Sequence, residues 1–202
     1  MTITNGYATL SEAKAFLGIT DSVDDAIIER SVESASRTID RMTNRRFYQD
    51  AVATARYYRA TNPYFVIVDD ISTTTSLDVD VDIPGDGQYA TQFVLNTDYI
   101  MDPQNASSLG RPWTQITRVG SQAIPVWTSN LRPTVRVTAR WGWPAVPVDI
   151  IEATLILTAD LFKRKDAVGG VLGISDLGGV RMGALGRDIA AIVRPYRREV
   201  LA

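Results

Sequence analysis

The sequence contains neither cysteine nor histidine. The first absence excludes disulfides, thiol nucleophiles and thiolate zinc sites. The second removes the side chain that most often serves as general base or metal ligand near neutral pH. An enzyme made from this chain would have to work with carboxylates, hydroxyls, arginines or its three lysines, Lys14, Lys163 and Lys165. No catalytic signature is spelled by these, so no catalytic residue, cofactor or metal is expected. Long apolar runs are missing too: none reaches the ~18 residues of a membrane span. The opening Met-Thr-Ile-Thr-Asn-Gly-Tyr lacks the charged and hydrophobic parts of a signal peptide, so synthesis in the cytoplasm and no membrane partner are expected.

What is present is enough for a core. The chain has 202 residues and 45% hydrophobic content, which suits one good core or two small ones and is too apolar for disorder. The net charge of −2 hides an uneven spread. Residues 67–103 hold eight Asp and no Lys or Arg, whereas residues 163–198 hold eight Lys/Arg against three Asp. Eighteen of the 21 basic residues are Arg, the type suited to planar contacts with carboxylate or phosphate, which points to interfaces.

The chain is organised around residues 22–47. Ile28, Val32, Ala35, Ile39 and Met42 recur at steps of four and three and predict one apolar seam on a helix. Ser22 with Asp25 reads as its capping box, and Arg45 and Arg46 suit its negative end. Thr9 with Glu12 is a second capping box, opening a short helix that Gly18 ends. After Tyr48 the period changes to two. Thr54–Ala60, Tyr64–Val68, Leu77–Ile83, Gln92–Leu95, Gln115–Val119 and Thr134–Arg140 read as strands, separated by Asn-Pro, Pro-Gly-Asp-Gly and similar turns. Pro144 and Pro147 then introduce a broad apolar helix over 148–165 containing Ile150, Ile151, Leu155, Ile156, Leu157, Leu161 and Phe162. A flexible arm is expected over 169–186, which holds seven of the fourteen glycines. Ile189, Ile192, Val193 and Tyr196 mark a terminal amphipathic helix. The expectation is an α+β fold: a helical core from residues 1–49 and 144–202, with an antiparallel β-sandwich-like domain of residues 50–143 inserted.

Several clusters invite a functional reading. Asp78-x-Asp80-x-Asp82 has the spacing that starts a calcium loop, but Ile83 stands where Gly is needed and Tyr89 where the bidentate Glu belongs; alternation with Val79 and Val81 makes it the wet face of a strand. Asp69 and Asp70 are the paired carboxylates an enzyme reading would need. Gly178, Gly179, Gly183 and Gly186 follow no strand and make no dinucleotide fingerprint. Trp141 and Trp143, with Trp113 and Trp127, could stack on a sugar, or wedge a junction between subdomains. Lys163-Arg164-Lys165 could touch nucleic acid, yet also compensates a helix end. On the long helix, Glu29, Glu33 and Asp40 project to one flank of the seam, and Arg30, Arg37, Arg41 and Arg45 to the back and other flank. Glu33 with Arg37 is the one well-oriented i, i+4 pair among them. The sorted charges fit either a solvated helix or contacts between copies packed head to tail, where Glu29, Glu33, Asp40, Arg30, Arg37 and Arg41 are expected.

The order of motifs resembles the head-tail connector (adaptor) proteins of tailed bacteriophages. Tyr7-Ala-Thr-Leu-Ser-Glu-Ala-Lys14 opens the short helix, Asn44-Arg-Arg-Phe-Tyr48 closes the long one, and Gly142-Trp-Pro-Ala-Val-Pro147 introduces the next. The Gly-rich run and Arg194-Pro-Tyr-Arg-Arg198 complete the likeness. The resemblance implies a structural virion protein at the head-tail interface. It would form a homo-oligomeric ring, commonly a dodecamer, beneath the portal protein, and continue the channel for passing DNA without reading its sequence. It would also receive a stopper or other tail-side connector protein. It further implies that the C-terminal segment reaches the portal; there Ile192, Val193 and Tyr196 read as an apolar anchor ringed by Arg194, Arg197 and Arg198, the alternative being that this helix packs on its own core. The alternative is a β-sandwich binding module of a phage tail or surface protein, with a carbohydrate or protein ligand.

Overall fold

The computed structural model describes residues 3–126, 132–164 and 182–198. The chain separates into two compact units, Met1–Phe47 with Val146–Ala202, and Tyr48–Ala145. Among the described residues, four helices lie in the first unit and seven strands, in two antiparallel sheets, in the second, so the class is α+β as expected.

In the helical unit, α1 (Leu10–Leu17) starts at the predicted capping box: the Glu12 N–H donates to Thr9 Oγ1 and the Thr9 N–H to Glu12 Oε2. It stops at Gly18, whose φ of 72° lets the chain turn left-handed. Helix α2 (Asp25–Thr43) is shorter than the sequence suggests at both ends. Asp24, not Ser22, caps it, without a side-chain cap bond, and Asn44 at φ 54° ends it before Arg45. The seam of Ile28, Val32, Ala35 and Ile39 is fully buried, but Thr43 takes the place expected for Met42. Buried Ser31, Ser36 and Thr43 satisfy their hydroxyls on the carbonyls one turn back, at Ile27, Val32 and Ile39.

Helix α3 (Val148–Lys163) is the main partner of α2. It buries Ile150, Ala153, Thr154, Leu155, Thr158 and Phe162. Ile151, Ile156, Leu157 and Leu161, expected to be covered on several sides, are only half-buried. Helix α4 (Met182–Val193) continues into a 3-10 turn, Arg194–Tyr196, and buries Ile189 and Val193. Its start at Met182 shortens the expected Gly-rich arm from the C-terminal side; the rest of that arm lies outside the described residues.

In the β unit, β1 (Thr54–Tyr58), β7 (Val135–Ala139), β3 (Asp78–Val81) and β4 (Thr91–Phe93) form one sheet in that order. The other runs β2 (Phe65–Ile71), β6 (Trp113–Arg118), β5 (Tyr99–Asp102). Six strands are readable from alternation; β5 is the one missed, its Tyr-Ile-Met-Asp run showing no alternation of apolar and polar residues. Val66, Val68, Ile116 and Met101 from one sheet join Val79, Val81, Val135 and Val137 from the other in a single apolar core. The unit's two ends meet: the Asp50 N–H donates to the Trp141 carbonyl at 2.8 Å.

Candidate functional site

The charged flank of α2 is where the sequence placed subunit contacts, and the chain's own N-terminal segment already occupies part of it. Glu33 Oε1 accepts the N–H groups of Thr4 (2.6 Å) and Asn5 (3.1 Å). Arg37 donates to the Asn5 carbonyl at 2.8 Å, pairs with Asp40 at 3.1 Å and lies over the Tyr7 ring. The Tyr7 N–H donates to Ser36 Oγ at 3.0 Å, and its hydroxyl donates to Asp40 while accepting from the Phe47 N–H. Glu33, Arg37 and Asp40 are thus engaged within one copy, so the helical Glu33–Arg37 pair suggested by their spacing gives way to these partners. Glu29 is half-buried, while Arg30 and Arg41 are exposed; Arg41 reaches back to Thr38 Oγ1 at 2.9 Å. Sequence periodicity located the charges but not their partner, which lies about thirty residues upstream and has no periodic signature.

Burial dominates the protonation of this cluster. It pushes the Tyr7 hydroxyl well above its ordinary value, and the hydrogen bond to Asp40 pushes the same way. Burial also raises Asp40, opposed by the Tyr7 hydroxyl and then by the Arg37 guanidinium. The shared proton therefore stays on Tyr7, and the arrangement is a structural clamp rather than a proton relay.

Beside the clamp is an open, largely apolar groove of about 570 Å³, lined by Ile3, Gly6, Tyr7, Leu10, Val146 and Ile151, with Glu12 and Glu29 also in its wall. No sequence motif marked it, since its walls come from three separate stretches.

The C-terminal residues expected at the portal are partly used inside the helical unit. Val193 is buried; Tyr196 packs edge-on against Phe47 with ring centroids 5.7 Å apart and donates its hydroxyl to Asp149 at 2.9 Å. The Arg198 N–H donates to the Thr43 carbonyl, and Asn44 Nδ2 donates to the Arg198 carbonyl. Ile192 is half-buried and Arg194 and Arg197 are exposed. What this segment offers to another molecule is cationic, not the apolar anchor that Val193 and Tyr196 suggest in sequence. Arg164 of the basic cluster pairs with Asp160 at 2.5 Å, Lys163 is exposed and Lys165 lies outside the described residues.

In the β unit the suspected ligand residues are structural. Trp141 is fully buried, donates to the Thr54 carbonyl at 2.8 Å and carries the Arg56 guanidinium over its ring at 4.3 Å. Trp143 is buried and donates to Asp70 at 3.1 Å; neither ring is open to a sugar. Trp113 packs against the core and Trp127 lies outside the described residues. Asp69 binds Arg56 (2.6 Å) and Tyr58 (3.0 Å), so the Asp69–Asp70 pair is split between two sets of partners. Asp78 accepts from Gln92, Asp80 pairs with Arg136 at 3.0 Å, and buried Asp82 accepts the N–H groups of Gly85, Asp86 and Gly87. The triplet is therefore a face residue, a cross-strand pair and a turn anchor, and among the described residues no three such side chains converge on a metal position.

Comparison with known proteins adds to this geometry. The family described as phage gp6-like head-tail connector protein matches residues 7–80, a stretch that holds α1, α2 and the first β-strands. A chain from the neck of an empty gene transfer agent particle, computed with C6 symmetry, is similar in fold at a TM-score of 0.55 and 16% identity, with 100% of this chain and 95% of that chain covered. A chain of the virion of the native gene transfer agent particle gives a TM-score of 0.50 at 16% identity with the same coverage. No curated protein matches the sequence.

Proposed function

From the family match over residues 7–80, a little more than a third of the chain, we propose that the protein is a phage head-tail connector, a structural component of the virion neck made in the host cytoplasm and built into a ring at the head-tail interface. The family match is the observation that carries this reading, and the fold likeness to a particle-neck chain over the whole length supports it. In this reading the ring attaches beneath the portal protein, continues the path of the DNA without sequence-specific contacts, and receives a stopper or other tail-side protein. A C6-computed neck suits a copy number that is a multiple of six, of which twelve is our proposal. Exposed Arg194 and Arg197 are the residues proposed to meet the portal.

The role is proposed to be non-catalytic. What supports this is chemical: cysteine and histidine are absent, and Asp40, Asp69, Asp70, Asp80 and Asp82 all serve as acceptors for neighbouring donors. Among the described residues no helix is long and apolar enough to cross a membrane.

The test is genetic and visual. Particles produced without this chain should accumulate as heads lacking tails in negative-stain micrographs, and adding the purified protein back should restore tail joining. Tailed particles produced without it would end the connector reading.

A further inference from the structure

The two sheets of the β unit differ on their outer faces. On the four-stranded sheet, cross-strand neighbours Tyr57, Arg136 and Asp80 form a polar row, as a solvated antiparallel face should. On the three-stranded sheet the outer rows are Phe65–Thr117–Ile100 and Ile67–Gln115–Asp102, with Val119 beside Asp98 beyond them. Ile67 is 46% exposed and Val119 50% exposed. Phe65 and Ile100 are half-buried. The polar groups in the middle are already spent on one another, Gln115 donating to Thr117 and Thr117 to Asp102. Covering them costs little, since their hydrogen bonds travel with them. The face is therefore apolar along β2, with Phe65 and Ile67, polar but internally hydrogen-bonded along its middle strand β6, and carries Ile100 with the carboxylates Asp98 and Asp102 on its β5 side.

A matching surface exists on the helical unit. Opposite its seam, α2 presents Ile27 (37% exposed), Arg30, Ser34 and Arg41 in one stripe, and Val23 just before the helix is 87% exposed. The stripe is apolar at its start, small in the middle and cationic at two points. Arg30 and Arg41 lie about 16 Å apart along the axis at ~1.5 Å per residue. Asp98 and Asp102 lie about 13 Å apart at ~3.3 Å per residue. Two long guanidinium arms can span that difference. Signs, spacing and apolar character agree.

We propose that the outer stripe of α2 in one copy packs on the outer face of the three-stranded sheet in a second copy. Ile27 and Ser34 lie against Phe65, Ile67 and Ile100, while Arg30 and Arg41 face Asp98 and Asp102. The two surfaces are different, so the contact is heterologous: every copy uses one of each, and the series either closes as a ring or continues as a filament. The inference rests on the ring reading above and names the surfaces that would make it.

Because the natural chain has no cysteine, an engineered disulfide reports the contact cleanly. The full chain carrying both Ser34→Cys and Ile67→Cys, oxidised at high protein concentration, should give a ladder of dimers, trimers and longer products on non-reducing gels. Each single-cysteine variant should stop at dimers. As a second measure, Arg30→Glu with Arg41→Glu should abolish wild-type self-association in low-salt sedimentation, since both substitutions lie on an exposed helix surface and leave the core intact. A ladder with glutaraldehyde but none through the disulfide overturns this contact while leaving the ring reading standing. A chain that stays monomeric by both chemistries overturns the two together.

Discussion

The α-carbon of Gly142 lies so close to Tyr48 that a β-carbon there would sit 1.8 Å from the Tyr48 carbonyl oxygen. Gly142 also has φ 106°, a conformation that side-chain-bearing residues rarely adopt. The close approach joins the two ends of the β unit, with the Asp50–Trp141 hydrogen bond one step further in. Gly142→Ala should therefore destabilise the β unit by on the order of 4 kcal/mol or more, by combining overlap with backbone strain. Gly186→Ala is the contrast, because nothing lies within 4 Å of the added carbon on α4. That change should be neutral or stabilise by about 0.5 to 1 kcal/mol. Denaturant titrations followed by tryptophan fluorescence and by helical circular dichroism separate the two outcomes.

Tyr7 holds three parts of the helical unit at once: its hydroxyl donates to Asp40 and accepts from the Phe47 N–H, and its ring packs edge-on against Phe47 at 5.6 Å. Tyr7→Phe keeps the ring and deletes the hydroxyl. The Phe47 N–H and one Asp40 acceptor position are then left without that partner in a buried setting, which should cost about 1 to 3 kcal/mol. The expected readout is a lower melting temperature in the helical signal. A melting curve that overlays the wild type would show that the clamp adds nothing to stability.

How much of this was legible in the sequence depends on how local each cause is. The Thr9–Glu12 cap and the Gly18 stop are settled within four residues and are read correctly. The end of α2 is not: Asn44 takes a left-handed conformation, so Arg45 leaves the helix and Thr43 closes the seam in place of Met42. The sorted charges on α2 were visible, yet Thr4, Asn5 and Tyr7 as their partners were not, since a strap of irregular chain carries no period. The tryptophans were ambiguous for another reason. Composition cannot say whether an indole N–H meets a ligand or, as in Trp141 and Trp143, a carbonyl or carboxylate of the same unit.

Alkaline pH should unfold the protein through its buried tyrosines. Burial lifts Tyr7 and Tyr58 well above the ordinary tyrosine value and Tyr99 up to about 12. The unfolded chain releases these protons near pH 10 while the folded chain keeps them, so the folded state binds more protons and stability falls as pH rises. The stabilisation is fully present below about pH 10 and is lost between there and the folded-state values, at about 1.4 kcal/mol per pH unit for each tyrosine. Absorbance at the tyrosinate band should show Tyr7, Tyr58 and Tyr99 ionising only together with loss of circular dichroism. A single smooth titration near pH 10 with the fold intact would contradict the burial of all three.

The junction at Tyr48 and Gly142 bears on whether the helical unit stands alone. Its apolar seam on α2 is covered by α1, α3 and α4, and the buried residues Ile28, Val32, Leu155 and Phe162 belong to one cluster made entirely within that unit. The backbones that leave it toward the strands come together within hydrogen-bonding distance at Asp50 and Trp141. A short Gly/Ser linker in place of residues 50–141 therefore has almost no span to cross, and closing so small a loop costs little chain entropy. The shortened chain should be monomeric or weakly associated, strongly helical by circular dichroism, and should melt cooperatively. Its loss of the three-stranded sheet should also remove the disulfide ladder while leaving the fold, which makes it a folded control for the contact between copies. If instead it shows the spectrum of a coil, the helices need the β unit to fold, and the two units are one cooperative structure.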